Sequence, residues 1–504
     1  MPFLNILLHS FYIACIFGLA LYGFQAFWLT RHYLRRPLAS RRFAQPDSWP
    51  TVAVQLPIYN ERHVAERIIR ACCSLDYPRD RLLIQVLDDS DDATCALINR
   101  AVQQAQEQDI RIEVVRRPTR EGYKAGALAY ALAKTIEAEF IAVFDADFEP
   151  PSDFLLRTVP HLLGSGNAEI GFVQARWAHL NQDFSFLTRS QALALDGHFV
   201  VEQGGRQAAG YAFGFNGSAG VWRRACIQDP SVGGWHTDTL CEDLDLSYRA
   251  QLAGWSGAYL DDVDAPAEIP PQLLAFKRQQ FRWAKGSIQT LRKLGRRVWT
   301  GHWPVAKRIA GLLHLGSYLV HPLLLGLLLV TLPLTIFGVD PATPLAFLSV
   351  ASFGPPFLYA VGQRRLHPGR WLRNWACLPL LMLLGAGLSL NNTLAVFQGL
   401  TGQESEFMRT PKFHATRNGG AWQRSAYRLR LQPLVLAEIA LALYALLTAA
   451  LLAASGKWLS AAFILLYALG FGLTAAMGLW QASQAWLANR RRKGSRMSEQ
   501  GSLA

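Results

Sequence analysis

The chain has 504 residues, of which 51% are hydrophobic and 17% are charged, and its formal net charge is +13. This length accommodates a soluble domain of ordinary size together with a second, sizeable region. The positive charge does not indicate nucleic-acid binding, because the cations cluster beside long apolar segments, which is the positive-inside pattern of membrane proteins. These cations are Arg31, Arg35, Arg36, Arg41, Arg42, Arg364, Arg365, Arg370, Arg373 and the basic residues at 490–493.

The chain begins with an apolar segment, residues 2–30, that contains no Asp, Glu, Lys or Arg. Such a segment is long enough to cross a hydrocarbon core of about 30 Å. It has no basic region at its start and no small-residue cleavage site before Arg31, so we predict a retained anchor over residues 4–30 and not a removed signal peptide. The anchor and the basic linker after it form the first predicted domain, residues 1–47.

Residues 48–300 alternate short apolar runs with charged, helix-periodic segments, which is typical of a globular domain. Three runs read as buried strands, "TVAVQLPIYNE" at 51–61, "LLIQVLDDS" at 82–90 and "FIAVFDADFEP" at 140–150. The segment "RHVAERIIRACCSL" between the first two has helical periodicity. Strands that alternate with helices predict a parallel α/β sheet. Ligands of such sheets bind at the carboxyl ends of the strands, where this sequence carries polar and acidic residues.

The acids after these strands differ in how much they indicate. Asp88 and Asp89, taken alone, are typical of a solvated loop. Asp145 and Asp147 are separated by one residue on an extended segment, so their side chains face the same way. Two such carboxylates suit Mg²⁺ or Mn²⁺ that completes its coordination with water and substrate phosphates. The three-residue pattern "DAD" alone is not specific.

Two further segments of the domain carry candidate chemistry. "CEDLDLSYRA" at 241–250 places Glu242 and Asp243 at the start of a predicted helix, where acids also favour the helix dipole. "QQFRWAKG" at 279–286 sets Arg282 beside Trp283 shortly before a long apolar run. Arg and Trp also favour membrane surfaces, so an interfacial belt is the plain alternative for this second motif.

The C-terminal region, residues 301–504, contains four predicted spans, near 311–337, 343–362, 434–455 and 459–480. A further apolar block at 374–403 contains Asn391 and Asn392, which are unfavourable in lipid. We therefore predict an interfacial or re-entrant helix at about 374–400, followed by a loop at about 404–430. The loop stays on the side of the soluble domain, in keeping with its cations Arg409, Lys412, Arg417, Arg424, Arg428 and Arg430.

The seven cysteines include an adjacent pair at 72 and 73 and no CxxC motif. They indicate neither a disulfide framework nor a zinc site. Together with the positions of the cations, this predicts an integral membrane protein, most simply of a bacterial inner membrane, with its soluble domain in the cytoplasm.

The motifs occur together and in a fixed order: "VQLPIYNE", "VLDDSDD", "GYKAGAL", "FDADF", "VQARW", "FNGSAG", "CEDLDLSYRA" and "QQFRW". This set resembles the inverting family 2 glycosyltransferases of the cellulose synthase superfamily, above all its cellulose-synthase-like glucomannan branch and bacterial relatives. "EFMRTPKF" at 406–413 resembles the family's gating loop. The resemblance implies an α/β nucleotide-sugar-binding domain of the GT-A type combined with an α-helical transmembrane domain.

On the donor side, the resemblance implies a role for each matching residue. Residues of the first strand would shape the base and ribose pocket: Gln55, Pro57, Tyr59 and Glu61. Asp88 and Asp89 would contact the nucleotide, and Lys124 would face the diphosphate. Asp145 and Asp147 would hold the divalent cation. Thr410 and Lys412 of the loop would reach the bound diphosphate.

On the acceptor side, Asp243 matches the position of the family's general base, with Glu242 beside it, and Cys241 stands where threonine is usual. Gln279, Arg282 and Trp283 match the family's Q-x-x-R-W motif. In that motif the indole supports the acceptor sugar and the guanidinium meets the pyrophosphate. Asn216 and Gly217 would approach the acceptor. For Glu438 two interpretations stay open, a sugar path and a side chain that extends to the interface.

The function that the resemblance implies is a processive, metal-dependent hexosyltransferase that polymerises a β-linked glucomannan, mannan or glucan from GDP-mannose or UDP-glucose. The alternative is a membrane enzyme that transfers one or a few sugars to a lipid, as glucosylceramide synthases do. A transporter with a regulatory domain would leave the ordered acidic motifs without a purpose. The expected partners are the nucleotide sugar, a glycan or lipid acceptor and membrane lipids, with no nucleic acid.

Overall fold

A computed structural model describes residues 2–36, 46–135, 137–338, 343–403, 407, 409–415, 425, 427, 429 and 431–501. Within these residues lies a mixed seven-stranded sheet with the order β3-β2-β1-β4-β6-β5-β7. Its strands are β1 (Val52–Ile58), β2 (Leu82–Asp88), β3 (Ile112–Val115), β4 (Phe140–Val143), β5 (Ile170–His179), β6 (Gly220–Arg223) and β7 (Ser256–Ala267).

The helices of the sheet domain are α2 (Ala65–Cys73), α3 (Thr94–Gln106), α4 (Tyr123–Lys134), α5 (Phe154–Thr158), α6 (Phe186–Asp196), α7 (Gln203–Ala208), α8 (Arg224–Gln228) and α9 (Glu242–Leu252). A π-helical turn, Gly197–Glu202, joins α6 to α7. The remaining helices are α1 (Pro2–Arg35), α10 (Leu273–Thr300), α11 (Val305–Leu315), α12 (Val320–Ile336), α13 (Gly354–Leu366), α14 (Trp371–Trp375), α15 (Leu378–Thr401), α16 (Leu434–Ala454) and α17 (Trp458–Gly501).

The three predicted strands are confirmed as β1, β2 and β4, and β1 pairs in parallel with both of the others. The sequence interpretation did not include β3, β5, β6 or β7. β6 runs antiparallel to β4 and β5, so the sheet is mixed and not purely parallel. β3 and β6 have only four residues each, too few for a clear alternating pattern.

Hydrophobic side chains cover both faces of the sheet. Successive residues of β1 face opposite layers: Val52 and Val54 pack towards α2 and α3, and Ala53 packs towards α4 and α9. Gln55 was predicted to shape the nucleotide pocket, but it is fully buried in the sheet and donates to Gln85 Oε1 over 3.1 Å. The carboxyl ends of β1 and β4 are therefore left as the edge where polar residues reach a cavity.

Five described helices are long and apolar enough to cross a membrane: Phe3–Arg35, Ser317–Ile336, Trp371–Thr401, Leu434–Ala454 and Trp458–Gln484. Four of them overlap predicted spans. The predicted span at 343–362 matches none of them, because the chain there forms a 3₁₀ helix, Thr343–Phe353, and then the short α13. Gly354, at the junction, has no room for a side chain, since a Cβ atom would lie 2.1 Å from the carbonyl oxygen of Gly23 in α1.

Helix α15 is the segment that was predicted to lie at the interface. By length and composition it is able to cross a membrane, so the interfacial placement stays a prediction. Its two asparagines are buried and hydrogen-bonded within the protein. Asn391 Nδ2 donates to the carbonyl oxygen of Lys277 over 3.1 Å, and Asn392 Nδ2 lies 2.9 Å from Nε2 of His321. The unfavourable exposure to lipid on which part of the prediction rested is therefore avoided.

Glu438 of α16 is fully buried and forms an ion pair with Lys277 of α10. The side chain does not extend to an interface, so that interpretation is wrong. The same end of α10 binds other parts of the C-terminal region: Gln272 Nε2 donates to the carbonyl oxygen of Leu429 over 3.0 Å, and the Leu273 N–H donates to Gln481 over 2.9 Å. Helix α10 is thus fastened to the end of the loop and to the membrane helices.

Candidate active site

A single cavity at the carboxyl ends of β1 and β4 brings together nearly all of the predicted site residues. Its other walls come from the start of α9, from α10 and from the 409–415 segment of the loop. The predicted residues that line it are Tyr59, Glu61, Asp89, Lys124, Asp145, Asp147, Asn216, Gly217, Glu242, Asp243, Gln279, Arg282, Trp283, Thr410 and Lys412. Asp88, like Gln55, does not line it.

The adjacent Asp88 and Asp89 have different environments. The Asp88 carboxylate is buried and accepts hydrogen bonds from Nε and Nη2 of Arg116 at 2.9 and 2.7 Å. Asp89 faces the cavity and forms a two-point pair with Arg117, at 2.8 and 2.6 Å. Asp88 therefore binds an arginine and does not line the cavity, because adjacent residues at a strand end point in opposite directions.

The "DAD" carboxylates both line the cavity, and each meets a lysine, although they lie on a turn after β4 and not on the extended segment that the prediction assumed. Asp145 Oδ1 lies 2.6 Å from Lys124 Nζ. Asp147 forms an ion pair with Lys412 of the loop. Two carboxylates on one wall, each held by a positive charge, form a donor set of hard oxygen atoms that fits Mg²⁺ or Mn²⁺. A cation bound there would take the place of the ammonium groups.

Lys124 connects the two acidic motifs. Its Nζ donates to Asp145 and to the carbonyl oxygen of Gly217 at 2.8 Å, and it lies 3.6 Å from Oε1 of Glu242. Burial opposes its charge, but the surrounding carboxylates, Asp145 foremost, outweigh burial and raise the pKa of the ammonium above its ordinary value. Lys124 therefore remains a cation and is well placed to meet a diphosphate.

Asp243 lies in the first turn of α9, where it is half-buried and lines the cavity. Burial raises its pKa to about 7, the neighbouring Glu242 adds to the rise, and Lys124 partly opposes it. Gly217 packs directly on this carboxylate: its φ of +76° favours glycine, and a Cβ atom would lie 2.9 Å from Asp243 Oδ2. A carboxylate whose pKa lies near neutral pH is suited to proton transfer.

The Q-x-x-R-W residues lie on α10, which crosses behind the start of α9. Cys241 Sγ is 4.0 Å from the carbonyl oxygens of Arg282 and Trp283, and a Cβ atom on Gly286 would lie 2.4 Å from this sulfur. The "CED" and "QQFRW" motifs therefore pack directly on each other. This contact places the Trp283 indole on the same cavity as the Asp243 carboxylate.

The longest described segment of the loop, residues 409–415, is docked onto the domain. Arg409 Nη1 lies 3.3 Å from Glu61 Oε2, and the Phe413 N–H donates to Glu268 Oε1 over 2.9 Å. Burial raises the pKa of Glu61 to about 8, although Arg409 opposes the rise. Thr410 is 3% exposed. Arg417, Arg424, Arg428 and Arg430 lie outside the described residues.

The sequence interpretation missed several residues of this cavity. Arg120 stacks on Tyr59, with 3.4 Å between the guanidinium carbon and the ring centroid, and Trp177, His179 and Glu268 also line the walls. The "RRPTR" run after β3 and the "VQARW" motif were the available signals. Neither a loop of arginines nor a tryptophan on a strand reveals by itself that it faces a shared site.

A separate acidic group, His236, Asp238 and Asp245, has ligand atoms within 4.8 Å of one another. It does not include the predicted metal pair. Lys293 Nζ lies 2.7 Å from Asp238 and 3.0 Å from Asp245, and Arg249 Nη2 lies 2.7 Å from Asp245. These cations already neutralise the group, which therefore braces α9 against α10.

The sheet domain matches a known protein family. A family model described as "Glycosyltransferase like family 2" matches residues 50–286. Residues 50–286 are a family 2 glycosyltransferase domain. "Probable glucomannan 4-beta-mannosyltransferase 11" from Oryza sativa subsp. japonica is 46% identical over 250 residues, which is 49% of this chain and 43% of that protein. "Probable glucomannan 4-beta-mannosyltransferase 15" from Arabidopsis thaliana is 41% identical over 251 residues, which is 49% of this chain and 46% of that protein.

The glycosyltransferase domain thus has the predicted resemblance to the glucomannan branch of the cellulose synthase superfamily, although the chain spans less than half the length of these curated relatives. A solved structure, a mannosyltransferase from Pyrobaculum calidifontis in complex with GDP-Man and Mn²⁺, superimposes with a TM-score of 0.52 at 23% identity. It covers 79% of this chain and all of that one. This confirms the predicted GT-A type fold, here combined with apolar helices.

Proposed function

We propose that this protein is a membrane-embedded synthase that extends a β-linked mannan-type glycan with mannose from GDP-mannose and passes the chain across the membrane. The observation that most directly supports this proposal is a single cavity, next to apolar helices, that is lined by Asp145, Asp147, Asp243 and Trp283. The names of the similar plant proteins and the GDP-Man bound to the similar archaeal mannosyltransferase support mannose as the sugar. UDP-glucose is the alternative donor.

The donor binds at the strand ends. Tyr59, Glu61 and Asp89 contact the nucleoside, and Asp145 and Asp147 would hold Mg²⁺ or Mn²⁺. When bound, the cation neutralises the diphosphate and acts as a Lewis acid on the leaving group. Lys412 leaves Asp147 and, with Thr410, closes over the diphosphate, which excludes water from the site.

Transfer proceeds in a single displacement. Asp243 accepts the proton of the acceptor hydroxyl while that oxygen bonds to the anomeric carbon. The bond from this carbon to the diphosphate oxygen breaks, and its electron pair leaves with the nucleoside diphosphate. Lys124 and Arg282 meet the charge that develops on the leaving group. Because attack and departure occur on opposite faces, an α-linked donor sugar becomes a β-linked residue.

The acceptor end lies on Trp283, where an apolar sugar face packs on the indole. The catalytic domain faces the cytoplasm, and α15 lies along α10 near the interface. Contacts along the two helices support the packing of α15 on α10: Lys285 Nζ lies 3.1 Å from Gln398 Oε1, and Gly399 packs on Ile288. A growing chain leaves the cavity beside these helices.

A donor panel tests this function. We expect purified protein with Mg²⁺ or Mn²⁺ to release GDP from GDP-mannose faster than UDP from UDP-glucose, and to form a polymer that a β-1,4-mannanase digests. A short glycolipid as sole product would favour the lipid-acceptor alternative. Release of neither nucleotide from either donor would contradict a glycosyltransferase of this kind.

Trp283→Ala separates chain extension from donor hydrolysis. Stacking positions the acceptor and not the donor, so we expect the ratio of polymer formed to nucleoside diphosphate released to fall about tenfold. Trp283→Phe keeps an aromatic face and recovers part of the ratio. If Trp283 serves only as an interfacial anchor, polymer and hydrolysis fall in proportion, and the ratio stays unchanged in protein normalised for folding.

A further inference from the structure

The π-helical turn Gly197–Glu202 lies beside the active-site cavity, between α6 and α7. π-helical turns are rare and frequently occur at functional sites. One side of this turn packs against α13, through Val200, Val201 and Leu358. The other side supports side chains that line the cavity, namely Trp177, His179 and Asn216. The proposed displacement assigns no task to the first two of these.

Trp177 is held by an aromatic residue of the turn. Phe199 stacks on its indole with 4.8 Å between ring centroids and 26° between planes. On the cavity side, the centroid of Trp177 lies 6.5 Å from that of Trp283. The two indole planes are inclined by 54°, so Trp177 presents a second aromatic surface next to the one on which the acceptor sugar is proposed to stack.

His179 follows Trp177 by two residues on β5, so both side chains share a face of the strand. Its Nε2 lies 2.9 Å from Oδ1 of Asp196, the residue before the turn, and the other oxygen of Asp196 accepts from Gln363 at 2.6 Å. A carboxylate only accepts hydrogen bonds, so Nε2 of His179 donates. In the tautomer with the proton on Nε2, the Nδ1 atom is a hydrogen-bond acceptor.

Asn216 is oriented by residues in and just after the turn. The hydrogen bond from His198 lowers the pKa of Glu202 in spite of burial, so the carboxylate accepts from Nδ1 of His198 over 2.7 Å. Nε2 of that ring then faces Nδ2 of Asn216 at 3.5 Å, while Gln203 Nε2 donates to Asn216 Oδ1 at 2.8 Å. One N–H of the Asn216 amide is left for a ligand.

An aromatic face flanked by one acceptor atom and one donor group matches a pyranose, which combines an apolar face with hydroxyls that donate and accept. Building on the proposed function, we infer that Trp177, His179 and Asn216 form a second acceptor subsite, for the sugar behind the one on Trp283. His198 acts as a positioning residue that fixes the Asn216 amide, and the π-helical turn sets the shape of the subsite.

Steady-state kinetics with β-1,4-mannohexaose as the acceptor test this subsite. His179→Phe keeps a ring but removes the acceptor atom, and His198→Phe removes the contact that orients Asn216. We expect each to raise the KM for the hexaose about three- to tenfold, the worth of one hydrogen bond. The KM for GDP-mannose and the rate of hydrolysis without acceptor should change less than twofold. His198→Gln, whose amide oxygen can accept from Asn216, should restore most of the affinity.

Exposed His302 provides a matched control, because His302→Gln should behave as the wild type. A parallel fall of hydrolysis and transfer in the His198 and His179 variants would show a structural role and overturn the inference. So would an unchanged KM for the hexaose in both. Failure of the wild type to transfer mannose to any glycan would instead contradict the proposed function, which keeps the two failures distinct.

Discussion

Asp243→Asn abolishes glycosyl transfer while the donor still binds. The amide keeps the size of the carboxylate but does not accept the proton of the attacking hydroxyl, so we expect a loss of about 10²- to 10⁴-fold in turnover. Calorimetric affinity for GDP-mannose should stay within about twofold, because Asp243 faces the acceptor side of the cavity. Substantial turnover in this variant would move the role of base to Glu242 or to another group.

The pH dependence of the wild type follows from the same carboxylate. Its pKa is raised to about 7, and a base acts only when deprotonated, so kcat/KM should rise with pH through the neutral range and then level off. Lowering the pH through about 7 protonates Asp243 and removes the activity. A profile that stays flat between about pH 5 and pH 8 would contradict the assignment.

Asp145→Ala and Asp147→Ala should each remove catalysis and the response to divalent cations together. Loss of one carboxylate leaves a single oxygen donor group and an unpaired lysine, Lys124 or Lys412, in its place. We expect turnover to fall at least about 10²-fold, since a cation that stabilises a leaving group contributes several kcal/mol. The measurement is nucleoside diphosphate release across a titration of Mg²⁺ and Mn²⁺.

Asp183→Ala, on the exposed surface beside Arg189, is the matched control and should titrate like the wild type. Wild-type activity that persists in excess chelator would show that the "DAD" pair has a different purpose. A variant whose residual activity still rises with added metal as in the wild type would also contradict the assignment, because catalysis and the response to metal would then not be lost together.

Spacing and order of motifs were sufficient to predict which edge of the sheet carries the chemistry. Asp145 and Asp147 both line the cavity from the turn that follows β4, and Asp88 turns away from it because it is adjacent to Asp89. Gln55 shares the parity of Pro57 and Tyr59, but it lies further inside the sheet and does not reach the cavity. The sequence alone does not indicate which side chain each of these residues contacts. Arg116 and Arg117 come from the end of β3, a four-residue strand that sequence periodicity does not resolve.

For the C-terminal region, the sequence predicted which segments are apolar better than it predicted how these segments fold and pack. Apolar segments of the sequence overlap all five long helices, but the prediction assigned the segment at 374–403 to the interface and placed a span at 343–362, where α13 is short. The arrangement of α13 and α15 depends on tertiary packing. Gly354 fits against α1 only because it lacks a side chain, and the buried asparagines of α15 find partners on α10 and α12. Such contacts join residues distant in sequence, which local hydropathy does not encode.

The lysines that occupy the two "DAD" carboxylates make the resting site close to electroneutral. A bare divalent cation entering it would meet two ammonium groups, and a bare nucleotide sugar would meet two carboxylates. Arriving together, cation and diphosphate exchange partners with the lysines and leave the total charge nearly unchanged. We therefore expect their binding to be cooperative, with reciprocal gains in affinity that titrations of each component in the presence and in the absence of the other would reveal. Such a site would select the metal–nucleotide complex over each of its parts.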